Sequence, residues 1–397
     1  MVESPIEPLA LRDPSNARAS NETPTPFTNP VKLVRALHVI NGEHYSGAER
    51  VQDLLAGYLP ACGYEASFAC VKPGRFPQAR LHQSTRLYEI PMRGRLDFTC
   101  GRRLAQLIRD ENYALIHAHT PRSLMVGAQA ARLAGVPLVY HVHSPAGRDS
   151  THRLRNLANV WLERRSAHRA ARLIAVSPSV RRYMIEQGFL ASHVVCVPNG
   201  VPAIDAEPRR QTPRSWTLGM VALFRPRKGI EVLLHALAAA RSRGCDVRLR
   251  AIGPFETAAY ESDIRALVAH LELADAIDWT GFTTDIAAEL ERIDALALPS
   301  LFGEGLPMVV LEAMAAGVPV IASAVEGVPE AIRDAEEGLL VQPGDPDALA
   351  AAIEQLADGR IDYPQMSLAA QQRHASHFSA EIMARRVADV YDAILGR

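Results

Sequence analysis

Cysteine is scarce: five in 397 residues (Cys62, Cys70, Cys100, Cys196, Cys245), scattered, odd in number and never in a C-x-x-C pair. That excludes a disulfide scaffold and a cysteine-built zinc site, and it fits free thiols in a reducing cytoplasm. A basic start followed by an apolar core is also missing, so no signal peptide is expected. Long hydrophobic runs are absent too, since the most apolar stretch, Leu306 to Val325, is broken by Glu312, Gly317 and Pro319 and does not read as a membrane span. No G-x-G-x-x-G occurs, which speaks against dinucleotide binding. The histidine pairs His117/His119 and His141/His143 have ligand-like spacing, but no third ligand of suitable spacing stands out, and no metal is expected. Net charge is nearly absent at −1, which hides an asymmetry: residues 1–211 carry 27 Lys+Arg against 17 Asp+Glu, and residues 212–397 carry 16 against 27. A basic half and an acidic half suggest two domains with different partners.

The composition, 48% hydrophobic and 22% charged, is that of a soluble chain too long for one ordinary core. Residues 1–30, rich in Pro, Ser, Asn, Thr and Glu, are expected to be disordered. From Val31 to Ile40 a first strand runs into a glycine-containing turn and a helical pattern. Strands and helices then alternate: Ala66–Val71, a helix near Gly101–Asp110, Ala114–His119, Pro137–His143, a helical stretch over Arg153–Arg172, Leu173–Val176, Pro178–Gln187 and Val194–Val197. After a polar linker, Val201–Arg214, the alternation restarts with Thr217–Leu223, Ile230–Arg243, Val247–Ile252, Tyr260–Leu271 and Ile277–Trp279. Later come helical Ala348–Leu356 and an amphipathic last helix, Ala380–Leu395. This is an α/β chain with two doubly wound parallel sheets.

The most informative stretch is DALALPSLFGEGLPMVVLEAMAAGVPVIAS, residues 294–323. An apolar strand, Ala295–Leu298, ends at Pro299. A loop with two glycines leads to a helix over Pro307–Ala316, with Pro307 at its first position, and Gly317 stops it before the next strand. The helix is apolar on every side except for Glu312, so it should be buried and its carboxylate must be hydrogen-bonded. Glu304 lies in the loop whose N–H groups open the helix, and such N–H groups bind anions. Loops at the carboxyl ends of parallel strands are where open α/β sheets take ligands. An anion cradle with two acceptors for hydroxyls suits a phosphorylated sugar or a nucleotide. The plainer alternative is a capped core helix whose Glu312 pairs with an arginine.

Glu304 to Glu312, continued by Ala313-Met314-Ala315-Ala316-Gly317-Val318-Pro319-Val320, resembles the E-x7-E motif of retaining GT-B glycosyltransferases of family 4. The resemblance spans Val31–Arg397 and is strongest over Gly219–Leu340. It implies two Rossmann-like domains facing a cleft: an acceptor domain over 31–205, a nucleotide-sugar donor domain over 206–378, and a last helix, 379–397, packing back on the first. It implies transfer of a sugar from a nucleotide diphosphate-sugar to an acceptor hydroxyl with retention, no cofactor and no metal. By this resemblance Glu304 and His143 are the catalytic pair, Glu304 on sugar hydroxyls and His143 beside the breaking bond. Glu312 would hold the ribose, Gly305, Leu306, Pro307 and Met308 the diphosphate, Phe282 and its neighbours the base. Gly47 would approach the phosphates in a loop where Ser46 replaces the family's first glycine. Phe224–Gly229 supplies Lys228 for the diphosphate, while Leu223 stands where the family has an arginine, leaving Arg225 or Arg227 to substitute.

The ambiguous pieces are two. Asp345-Pro346-Asp347 spells a metal-binding D-x-D of another fold but is expected to cap a helix. The stretch Arg148–Arg172, seven arginines against Asp149 and Glu163 with Leu, Val and Trp interleaved, is either a solvated face or a dock for an anionic membrane surface at the cytoplasmic face. Cell-surface polysaccharide or glycolipid synthesis is the expected setting, with a saccharide or lipid-linked acceptor and no nucleic acid. A nucleotide-sugar 2-epimerase of the same fold and a non-catalytic nucleotide-sugar binding protein are the alternatives.

Overall fold

The computed structural model of the chain describes residues 33–94, 97–145 and 161–397. The expectation of disorder over 1–30 and most of the arginine-rich stretch lie outside these residues. Everything below concerns the compact unit Leu33–Arg397.

Strands β1 (Val34–Ile40), β2 (Tyr64–Cys70), β3 (Leu87–Glu89), β4 (Leu115–Ala118), β5 (Leu138–Val142), β6 (Arg172–Ala175) and β7 (Val194–Cys196) form one parallel sheet in the order β3-β2-β1-β4-β5-β6-β7. Strands β8 (Trp216–Val221), β9 (Val247–Ile252), β10 (Ile277–Gly281), β11 (Ala295–Leu298), β12 (Val320–Ser323) and β13 (Gly338–Val341) form the second, in the order β10-β9-β8-β11-β12-β13. Each order reverses direction beside the first strand of its sheet, where open α/β folds keep their ligand crevice. The principal helices are α1 (Gly47–Tyr58), α2 (Phe98–Asp110), α3 (Pro121–Ala134), α4 (Pro178–Glu186), α5 (Ile230–Ser242), α6 (Ala258–His270), α7 (Met308–Ala315), α8 (Pro346–Ala357), α9 (Tyr363–His377) and α10 (Ala380–Leu395). Among the described residues no helix is long and apolar enough to cross a membrane.

Helix starts follow local chemistry. Thr120 accepts from Ser123 N, Ser177 from Val180 N and Ser379 from Ile382 N, each satisfying an otherwise unpaired first-turn N–H. Asp345 does the same for Ala348 N, so the D-x-D is a helix cap. Two expected boundaries shift. Arg172 opens β6 instead of closing a helix, because the chain is already paired beside Val139 there. Pro307 is extended and caps α7 from outside (φ −71°, ψ 120°), so the helix begins at Met308. Strand β3, strand β13 and helix α9 have short or weakly periodic sequences and escape a reading by pattern.

The chain crosses between the two halves at two points that lie side by side. Val201 and Ser379 form a parallel bridge, with Val201 N donating to Phe378 O (2.9 Å) and Ala380 N to Val201 O (3.0 Å). At Gly200 a side chain would meet Ser379 O at 2.2 Å, so the neighbouring crossing requires glycine. Beyond Ser379, α10 packs on the first sheet, where Tyr391 covers a row of histidines. His38 on β1 sits in register with His117 on β4. His119, His141 and His143 continue the row, with successive ring centroids 4.1–5.4 Å apart.

Burial pulls His38 and His143 down to about 3, and burial, with the neighbouring rings, takes His117, His119 and His141 well below the ordinary value of 6.5. The unfolded chain therefore binds more protons than the fold between roughly pH 6.5 and 3. This contribution to stability is fully present above the unfolded value and is lost as pH falls through that window. Urea unfolding should show a loss of about 1 kcal/mol per buried histidine between pH 7 and 5.5, before most carboxylates titrate. Constant stability over that interval would contradict the neutral buried row.

Candidate active site

The βαβ unit β11–α7–β12 places a short helix end-on to the cleft between the halves. All residues of α7 except Val309 are buried, as an apolar helix requires, and Glu312 is 5% exposed. Its counter-charge comes from the other half: Arg50, on α1, donates to Glu312 Oε1. The pairing with an arginine thus exists, but it spans the cleft instead of closing a core. Glu312 Oε2 is buried and has no hydrogen-bond partner among the described residues.

Glu304 is built in the same way. Lys228 Nζ donates to its Oε1 at 2.5 Å, Ser300 Oγ donates to the same oxygen at 2.7 Å, and Arg227 Nη1 stands 3.6 Å away. Burial alone would raise this carboxyl, but Lys228, Arg227 and the two hydrogen bonds outweigh it and hold Glu304 below the usual range. Lys228 is drawn down by burial and by Arg227, against the pull of Glu304. So Lys228, read from sequence as a diphosphate ligand, already spends one N–H on Glu304. Arg227 Nη1 also donates to Phe302 O and Gly303 O, both at 3.3 Å, which shapes the loop before Glu304. Arg225 has a longer ion pair with Glu256, 3.6 Å. Leu223 is 37% exposed, beyond the end of β8, and is not a core position.

The loop is held from below by Glu326, whose Oε2 accepts from Gly303 N (2.9 Å) and Glu304 N (3.2 Å) while its backbone takes a left-handed φ of +32°. Across the cleft, a side chain at Gly305 would meet His143 O at 1.8 Å, so the halves touch here only because residue 305 is glycine. Asn199, buried at the crossing, donates to Leu306 O at 2.9 Å. Glu330 accepts from Ser179 N (3.0 Å) at the start of α4 and from Arg182 (3.2 Å).

Gly47 begins α1 facing the first residue of α7, where a side chain on it would stand 3.8 Å from Met308 Cγ. Two helix N-termini therefore converge, and the positive ends of both dipoles favour an anion between them. Ser46, which replaces a glycine of the motif, caps α1 reciprocally with Glu49: its N and Oγ donate to Glu49 Oε2 at 3.4 and 2.8 Å. Phe282, just after β10, is 52% exposed, with the Arg75 guanidinium 5.6 Å above its ring. His143 lies half-buried where β5 ends.

Three participants were missed from sequence: Arg50, Asn199 and His38. No spacing marks them, since each acts on a segment from elsewhere in the chain. Sequence spacing showed no third partner for either histidine pair, and the sheet order supplies one: the pairs and His38 form two groups of three that share His119.

The model for "Glycosyltransferase Family 4" matches residues 45–203 and that for "Glycosyl transferases group 1" residues 215–359. Phosphatidyl-myo-inositol mannosyltransferase of Mycobacterium leprae is 29% identical over 298 residues, 74% of this chain and 76% of that protein. D-inositol 3-phosphate glycosyltransferase of Streptomyces scabiei is 29% identical over 319 residues, 72% of this chain and 69% of that protein. Among solved structures, Anabaena HepE in complex with UDP superposes with a TM-score of 0.79 at 23% identity, covering 91% of this chain and 100% of that one. Sucrose-phosphate synthase from Thermosynechococcus elongatus gives 0.75 at 22%, covering 92% and 99%.

The Arg50–Glu312 pair makes a direct prediction. Arg50→Ala leaves a buried carboxylate without its cation and should destabilise the protein by about 1–3 kcal/mol. In Arg50→Ala/Glu312→Gln the loss should be smaller than the sum of the single changes by at least about 1 kcal/mol, read by urea unfolding. Additive losses would mean the two groups do not interact.

Proposed function

The chain belongs to the GT-B glycosyltransferases of family 4, and from that footing we propose that it moves a hexosyl group from a nucleotide diphosphate-sugar to a hydroxyl of a saccharide or lipid-linked acceptor, with retention of anomeric configuration. The observation that carries this reading is the pair of facing helix N-termini at Gly47 and Met308, flanked by Glu312, whose Oε2 has no partner.

In this reading the diphosphate lies between the two N-termini, with the N–H groups at Leu306 and Met308 and the charges of Arg225 and Lys228 taking up the negative charge that develops on departure. That fixed positive field serves in place of a metal ion. Glu312 Oε2 accepts from the ribose hydroxyls, and Phe282 lies beside the base. Glu304, bound through Oε1 to Lys228 and Ser300, offers Oε2 to the sugar hydroxyls. Its salt bridge keeps it ionised and anchored, so it positions the sugar and does not attack it. His143, neutral and at the cleft edge, contacts the sugar beside the anomeric carbon. With both carboxylates tied to cations, the acceptor attacks from the face the diphosphate leaves, through an oxocarbenium-like state.

The acceptor half carries the basic charge. Residues 161–167 are helical, and Trp161 (65% exposed) shares a face with the exposed Arg164 and Arg165, about one turn on. An aromatic ring beside two arginines suits an anionic lipid surface. Together with the lipid-linked inositol named for the mycobacterial relative, this favours glycolipid synthesis at the cytoplasmic face of a membrane.

Incubation with a panel of uridine and guanosine diphosphate-hexoses, with and without lipid and saccharide acceptors and with chelator present, tests the reading. The expected result is acceptor-dependent release of nucleoside diphosphate and an unchanged anomeric configuration by NMR. Release of free sugar irrespective of acceptor, inversion, or loss of transfer in chelator would each overturn the corresponding part. Glu304→Ala should nearly abolish transfer and leave nucleoside diphosphate affinity within about threefold, whereas Glu312→Ala should lower that affinity by about 1.5–3 kcal/mol. Equal affinity losses in both variants would contradict the division of roles.

A further inference from the structure

The histidine row contains more unsatisfied chemistry than sugar transfer needs. His141 is fully buried, and among the described residues neither of its ring nitrogens has a hydrogen-bond partner. A neutral imidazole carries one donor and one acceptor, and leaving both unpaired in the interior is costly. A polar species belongs against this ring. Ligand atoms of His119, His141 and His143 all lie within 4.8 Å of one another. His119 Nδ1 and His143 Nε2 are 3.1 Å apart. Two imidazole nitrogens at about 2.05 Å from one tetrahedral ion stand roughly 3.3 Å apart, so this spacing suits a shared ion.

We propose that His119, His141 and His143 bind a divalent first-row transition cation of the imidazole-preferring class, with Zn2+ and Co2+ as representatives. Three neutral histidines with a fourth position left for water are a recurrent set for such ions. The surroundings supply what the ligands need. With His119 Nδ1 on the ion, its Nε2 must carry hydrogen, and it lies 3.2 Å from His38 Nδ1. His38 Nε2–H then donates to Tyr391 Oη at 3.1 Å, and Tyr391 O–H donates to His117 Nδ1 at 2.6 Å. This proton arrangement satisfies each link from His119 to His117 Nδ1 and leaves His117 Nε2 without a partner among the described residues, and it fixes the tautomer of His119 as outer hydrogen bonds commonly do for metal-bound histidine. The site shares the His143 ring with the proposed sugar contact, but it rests on the unpartnered His141 ring and not on the reading of sugar transfer.

The test is a titration of chelator-stripped, untagged protein with Co2+ in the absence of any donor. Uptake of one equivalent with the visible absorption of tetrahedral cobalt, bleached by Zn2+, is expected. His141→Ala and His119→Ala should lose the band, and His270→Ala, at an exposed position in the other half, should keep it. Tyr391→Phe retains all three ligands but breaks the outer chain, and should weaken binding about 10- to 100-fold. Absence of the band in the parent protein, or its retention at equal affinity in a folded His141→Ala, overturns the proposal. Should circular dichroism find His141→Ala unfolded, His143→Ala, at the half-exposed end of the row, is judged by the same criterion.

Discussion

Two carboxylates set back from water in the cleft dominate its design, since a buried charge must be paired where it stands. Each is met by a cation on one oxygen: Lys228 on Glu304 Oε1 and Arg50 on Glu312 Oε1. The first pair lies within the second half. The second joins the halves, so the resting electrostatics of Glu312 depend on closure of the cleft. From these pairings follow the fixed loop before α7, the convergence of two helix N-termini and an unpartnered oxygen on Glu312.

Closure itself rests on small residues and backbone. Gly305 lets its loop reach the carbonyl of His143, Asn199 pins Leu306 O, and Glu330 caps the start of α4 from the opposite half. The two chain crossings are paired at Val201 and Ser379, which places the connecting backbone in one compact strap. Beyond the strap, α10 is held on the first sheet through Tyr391 and through Tyr64, whose hydroxyl donates to Asp392.

Much of this was legible in sequence. A single glutamate in an otherwise apolar helix announces a buried carboxylate that must find a partner, and the alternation of strands and helices announces the two sheets. What the sequence hides is pairing at a distance. Arg50 and Glu312 are 262 positions apart, and nothing in the local pattern of either names the other. His38 sits in an apolar strand like any satisfied histidine, and only the adjacency of β1, β4 and β5 turns two histidine pairs into a cluster of five. Phe224–Gly229 shows the converse: its cations were visible, but only the structure shows that Arg227 donates to loop carbonyls, Lys228 to Glu304, and that Arg225 pairs with Glu256.

The central claim is that Glu312 Oε2 receives the ribose hydroxyls of a nucleotide held between the two helix N-termini. Calorimetric titration of the protein and of Glu312→Ala with a ribonucleoside diphosphate and its 2′,3′-dideoxy analogue tests it most directly. The account predicts that the parent protein binds the ribonucleotide at least about tenfold more tightly than the analogue, a difference of about 1.4 kcal/mol, and that Glu312→Ala binds both alike. Equal affinities in the parent protein, or undiminished discrimination in the variant, would contradict it.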